Sequence, residues 1–281
     1  GDTNTAVGRR ALCTNSSGSA NVALGVNALL SNTTANDNVA VGNAALTTNT
    51  TGCENTAVGR CALKANTTGI RNVAVGKGAL KTNITGSSNV AIGREALGVA
   101  TNNNNTSVGF DSMQATTTGA DNTAVGMKAL FTNTIGIGNT AIGTYALQAN
   151  TTACENTAVG YVALSTNTTG NLNSAFGRGA LQVTTTGSSN VAVGTNALSE
   201  NTTGECNTAI GVCALRVETT GANNTAAGFK SLSANTTGEA NVAIGACSML
   251  ANTTATGGVA LGADSLKANT TGGTYQLNRF L

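Results

Sequence analysis

Asn55-Thr-Ala-Val-Gly-Arg-Cys-Ala-Leu-Lys-Ala-Asn-Thr-Thr-Gly-Ile-Arg71 is followed without a gap by Asn72-Val-Ala-Val-Gly-Lys-Gly-Ala-Leu-Lys-Thr-Asn-Ile-Thr-Gly-Ser-Ser88. The two stretches are versions of one 17-residue unit, and that unit fills the chain. Sixteen copies open at Asn4, Asn21, Asn38, Asn55, Asn72, Asn89, Asn105, Asn122, Asn139, Asn156, Asn173, Asn190, Asn207, Asn224, Asn241 and, with the Asn lost, Gly258. A single step, Asn89 to Asn105, is 16 residues long. A fixed short period is the signature of a solenoid in which each repeat is one rung stacked on the last. The expected fold is therefore all-β, a parallel β-solenoid of sixteen 17-residue rungs over residues 1–274, with a non-repeating tail over 275–281.

Within the unit, position five is Gly in all sixteen copies, and position three is Ala in all but one, where Ser107 stands. Position four is apolar throughout, as in Val7, Leu24, Ile92 and Phe176. The run Asn-Thr-Ala-Val-Gly reads as a short strand with positions two and four on one side and one, three and five on the other. Neither side carries charge, so each expects cover, one from its own coil and one from a second surface such as another chain. Positions four, eight and nine fit either one amphipathic helical turn or a second short strand with a bend. In both cases Leu12, Leu63, Leu80, Leu130 and Leu215, with Met113 and Met249 as replacements, point inward. Asn-Thr-Thr-Gly closes the rung as a turn, and the Asn of position one is placed to stack on its copies as an amide ladder.

Composition fits narrow cores. The chain has 8 aromatics among 281 residues and no Trp, Pro or His, while its 40% hydrophobic content is too high for disorder. Charged residues are 9% of the chain and the net charge is +2, read as Lys and Arg scattered over turns, which speaks against nucleic acid as a partner. No apolar run reaches the roughly 18 residues of a membrane span. Gly1, Asp2 and Thr3 match the last three positions of a preceding unit, so the chain reads as a segment of a longer array.

Two sets of side chains are candidates for covalent chemistry. Cys53 with Cys61 and Cys206 with Cys213 are candidate disulfides in an oxidising exterior; the odd total of seven and the lack of C-x-x-C spacing give equal weight to the reading of free small side chains. Asn-x-(Ser/Thr), the N-glycan acceptor sequence, recurs at position twelve in Asn15, Asn32, Asn49, Asn66, Asn83, Asn150, Asn167, Asn201, Asn235, Asn252 and Asn269, and also begins at Asn104, Asn105 and Asn223. Glycan decoration competes there with simple turn formation. In the tail, Tyr275, Leu277, Phe280 and Leu281 form a candidate cap or contact with the next subunit.

At the Asn-(Thr/Val)-Ala-(Val/Ile)-Gly motif, over residues 4 to about 272, the chain resembles the head repeats of trimeric autotransporter adhesins. It is similar also to the Asn-Thr-Ala-Val-Gly arrays of bacterial and phage tail-fibre-like proteins. The resemblance implies a β-roll, a place outside the cell or on a cell or virion surface, and partners that are copies of itself, joined head to tail or as a lateral trimer through the Ala/Gly face. The 17-residue unit is longer than that of the adhesin heads.

Catalysis is not expected. There is no His, the twelve acidic residues share no recurring pair, and no Ser or Cys has an evident base. No cofactor or metal site is expected either, since the repeated Asp ligands of calcium-binding rolls are absent. The expected function is that of a structural subunit of an extracellular fibre or appendage, for scaffolding or adhesion. The alternative is an ice- or polysaccharide-binding solenoid that presents Thr from positions thirteen and fourteen.

Overall fold

The computed structural model describes residues 1–272. It is a parallel β-solenoid in two compact units, Gly1–Asn139 and Thr140–Leu281. The first unit holds eight three-residue strands, Thr5–Val7 to Thr123–Val125, and the second holds eight more, Thr140–Ile142 to Val259–Leu261. Every strand occupies positions two to four of its repeat. Within each unit successive strands pair parallel and in register, so that Ala40 lies between Ala23 and Ala57, and Val41 between Leu24 and Val58.

The alternation read from the sequence sets the two faces. The Ala of position three points into the coil and is fully buried in Ala23, Ala40, Ala57 and their equivalents. The Ala of position eight and the Leu of position nine are also fully buried, as in Ala62 with Leu63 and Ala79 with Leu80; Met113 and Met249 stand at position nine in the same way. Each buried Leu contributes about 2 kcal/mol by leaving water. Ser107 keeps the inward place of its Ala neighbours because its hydroxyl donates to the Ser112 carbonyl at 2.9 Å. The Ala of position three is therefore on the inside of the coil, the Gly of position five is half-buried at the strand end, and positions two and four look outward.

Neither a second strand nor a helical turn follows the strand. Two tight turns do, shown by Ala62 N–H donating to Gly59 O at 3.3 Å and Asn66 N–H to Leu63 O at 3.3 Å. Between them the backbone takes positive φ at positions seven and nine, as in Cys61 at 58° and Leu63 at 49°, and again at position seventeen, as in Arg71 at 58°. The reason lies in the neighbouring rungs. Reversing the peptide at these points turns its N–H along the stacking direction, so Cys61 donates to Asn43 O at 2.9 Å, Leu63 to Ala79 O at 2.9 Å and Arg71 to Cys53 O at 3.1 Å. Buried backbone groups must be paired, and a left-handed residue costs about 1 to 2 kcal/mol; here the pairing outweighs the strain.

The strain is worst where a β-branched residue carries it. Val162, at position seven with φ 51°, shares its place with Asn27 at 59° and Asn196 at 54°. Asn accepts left-handed geometry through local hydrogen bonding, which Val lacks. Val162→Asn is expected to stabilise the protein by about 1 kcal/mol in urea denaturation; a loss of stability would contradict this account of the turn.

Candidate functional site

Two columns of buried Asn run along each unit beside the Ala and Leu columns. At position one, Asn38 Nδ2 donates to Asn21 Oδ1 at 3.2 Å and Asn55 Nδ2 to Asn38 Oδ1 at 3.2 Å, while Asn55 N–H also reaches Asn38 Oδ1 at 3.0 Å. This is the ladder expected from the sequence. A second ladder was not expected: at position twelve, Asn49 Nδ2 donates to Asn32 Oδ1 at 3.1 Å and Asn66 Nδ2 to Asn49 Oδ1 at 2.8 Å. Both columns converge on the carbonyl of position fifteen, where Gly52 O accepts from Asn38 at 3.0 Å and from Asn49 at 2.8 Å. The closing turn is thereby tied to the start of its own rung. The signal for the second ladder was present, since Asn stands at position twelve in twelve of sixteen units, more often than a solvated turn requires.

Burial decides what the acceptor sequences at position twelve can do. Asn32, Asn49, Asn66, Asn83, Asn150, Asn167, Asn201, Asn235 and Asn252 are fully buried, and Asn15 and Asn269 are half-buried. Nδ2, the atom a glycan would modify, faces the core and donates hydrogen bonds. Asn105 is buried in the position-one ladder, whereas Asn104 and Asn223, both at position seventeen, are exposed. In material passed through a glycosylating secretory route, occupancy is expected at Asn104 and Asn223 and not at the nine buried residues. Peptide mapping that finds glycan on Asn49 or Asn66 of folded protein would contradict the ladder.

All seven cysteines are free thiols, Cys13 and Cys206 exposed and the others half-buried. Neither Cys53 with Cys61 nor Cys206 with Cys213 is bonded. Cys53 lies in the corner of position sixteen, where its sulfur accepts from Asn36 N–H at 3.4 Å, and Cys61 lies in the turn of position seven. The Thr pair also divides. Position-thirteen hydroxyls donate along the stack, Thr50 to Thr67 O at 3.1 Å and Thr202 to Thr219 O at 2.9 Å, while those of position fourteen, such as Thr51 and Thr203, face solvent. Tyr275, Leu277, Phe280 and Leu281 lie outside the described residues.

The outer sheet face is apolar and open. Leu24 is 46% exposed, Ile92 40% and Ile210 48%, with Val7, Ile142, Phe176 and Ile244 in the same position-four column of their units. Beside it position two is Thr or Val, with Ser174 in one copy. Charge is less scattered than its sequence spacing suggested: Arg60, Lys77 and Arg94 occupy position six of three successive rungs, and Lys64 and Lys81 position ten of two. One anionic group sits inside instead of outside. Glu218 replaces the Asn of position twelve and is fully buried, its Oε2 accepting from Asn235 Nδ2 at 2.5 Å and from Asn224 Nδ2 at 3.2 Å. Burial pushes its carboxyl up to about 7; hydrogen bonds from Asn235 and the Gly221 backbone oppose the rise, and the Glu239 charge adds to it.

Among the described residues no helix is long and apolar enough to cross a membrane, and no three His, Cys, Asp or Glu side chains gather as metal ligands. Compared with known proteins, the chain matches no family model and no curated protein.

Proposed function

We propose that this chain is a non-catalytic structural subunit of an extracellular fibre or surface appendage, associating with copies of itself. The observation that carries the reading is the open apolar column at position four. Eight strands at roughly 4.8 Å, each three residues wide, give an outer face of roughly 400 Å² per unit. A face of this size matches the largest apolar patch on a typical monomer, and such patches are often interaction sites. A sheet so exposed is completed by a second sheet packed at about 10 Å, and a second copy offers the same Thr/Val and Val/Ile columns.

The Thr-array alternative loses support from the hydroxyls of position thirteen, which are spent on neighbouring carbonyls. Only one adjacent Thr column then faces water.

Sedimentation velocity over a concentration series tests the fibre reading. Assemblies are expected for the unaltered chain, and Leu24→Lys, Ile92→Lys, Ile210→Lys and Ile244→Lys together, two exposed changes in each unit, are expected to return it to monomers with unchanged circular dichroism. Monomers at every concentration, or assemblies indifferent to the four lysines, would overturn it.

A further inference from the structure

Over the fourth to seventh rungs the turn surface is hollowed, and the hollow follows from small residues at position seven. Cys61 and Gly78 leave a depression between the cations of position six and those of position ten. It is a cavity of about 210 Å³ lined by Arg60, Cys61, Lys77, Gly78, Lys81 and Glu95. A second hollow of about 390 Å³ adjoins it, sharing Lys81 and Glu95 and reaching Gln114. Together they make a groove that runs along the stacking direction. Backbone register holds its cations in columns, Gly78 N–H donating to Arg60 O at 3.0 Å and Glu95 N–H to Lys77 O at 3.0 Å.

The charge of this groove is mostly cationic, with Glu95 the one carboxylate in its lining. Five of the chain's 14 Lys and Arg lie in or beside it: Arg60, Lys64, Lys77, Lys81 and Arg94. The ion pairs of the described residues lie elsewhere, joining Arg71 to Glu54, Arg216 to Glu200 and Lys267 to Asp264. Glu95 is drawn into the space left by Gly78, where a β-carbon on that glycine would lie 2.7 Å from Glu95 Oε1. Cations roughly 4.8 Å apart on successive rungs suit a linear chain of anionic groups, and the carboxylate among them suits hydroxyl donors.

We propose that this groove binds an acidic polysaccharide, its anionic groups held by Arg60, Lys77 and Lys81 and its hydroxyls by Glu95 and Gln114. The site goes beyond the structural role, since a subunit of a fibre needs no such groove. Single-stranded nucleic acid is the weaker occupant. It calls for aromatic platforms between the cations, yet the nearest, Phe110, has Arg94 packed over its ring at 5.3 Å. The Glu95 carboxylate would also face a phosphodiester backbone.

Binding of the full chain to polygalacturonate, neutral dextran and a 20-nucleotide oligothymidylate, followed by calorimetry at two salt concentrations, tests this. Polygalacturonate is expected to bind, to weaken with added salt, and to lose about tenfold or more in affinity when Arg60, Lys77 and Lys81 are changed together to Gln. Arg178→Gln, at position six of a distant rung, is expected to leave binding unchanged. In the unaltered chain, amide NMR shifts on adding galacturonate oligomers are expected at residues 60–61, 77–82 and 95. No binding of polygalacturonate, equal binding by the folded triple variant, tighter binding of the oligonucleotide, or shifts confined to other rungs would each overturn the proposal.

Discussion

Gly59→Ala is expected to destabilise the rungs around it by at least about 3 kcal/mol. Two costs combine at this position. Gly59 has φ 132°, a backbone region that is nearly exclusive to glycine, and a β-carbon there would lie 2.6 Å from Gly76 O and 2.7 Å from Gly76 C. Those atoms belong to the next rung's backbone, which is fixed by the parallel pairing of Val58 with Val75 and cannot give way as a side chain would. Each rung contacts only its neighbours, so the damage is local and a single global unfolding energy is the wrong readout. Hydrogen exchange measures it directly: the amides of Thr56 and Val73 are expected to exchange about a hundredfold faster, the rate equivalent of about 3 kcal/mol. Gly262→Ala supplies the comparison, because Gly262 has φ 110° but, among the described residues, nothing within 4 Å of its would-be β-carbon. A similar loss at both sites would show that conformational strain, and not the rung above, makes position five glycine.

Glu218→Asn is expected to stabilise the second unit by about 3 kcal/mol at pH 8, and by much less near pH 4.5. The carboxyl titrates near 7 when folded, against 4.5 for the ordinary group. Below pH 4.5 both states are protonated and the residue is neutral in the balance. Between pH 4.5 and 7 the unfolded chain ionises while the folded one holds its proton, so stability falls as pH rises; above 7 the loss is complete. A difference of about 2.5 pKa units corresponds to about 3 kcal/mol. Asn also returns a donor to the ladder, where Asn201 Oδ1 has no partner beside the carboxylate. Denaturation of both proteins from pH 4 to 8 should show the gap opening through this window. A gap of constant size would mean that the ladder bond, and not the buried charge, accounts for it.

The period and the strand were legible because both rest on identities repeated at one spacing: Gly at position five, Ala at three, Leu at nine. Pleat geometry then places Ala inside without further information. The turn after the strand was harder, since Leu63 and Leu80 at φ 49° contradict every local preference of leucine. Only the neighbouring rung, which takes the reversed N–H, makes that conformation worthwhile, and no window within one unit contains this partner. The second Asn ladder was hidden for a related reason. Asn-Thr-Thr-Gly satisfies the local rules for a turn and for a glycan acceptor, and only the stacked carbonyl at position fifteen shows its amide to be a core group. The cation groove was missed because Arg60, Lys77 and Arg94 are far apart along the chain yet share a position in the unit. The deleted residue between Asn89 and Asn105 was absorbed in the corner: Val90 still pairs with Thr106, and Asn89 Nδ2 finds Asn102 O at 2.6 Å.

Both amide ladders point the same way. In each, Nδ2 reaches back to the Oδ1 of the rung before, as from Asn55 to Asn38 and from Asn66 to Asn49. A plane passed between two rungs joined in this way therefore bears amide donors on one side and amide acceptors on the other. Two like sides brought together would oppose donor to donor, whereas unlike sides continue the row. A fibre of the proposed kind, were its copies to continue the rows end to end, would therefore be vectorial: each copy would have to enter with the same orientation as the last, and the two ends of the assembly would be chemically distinct.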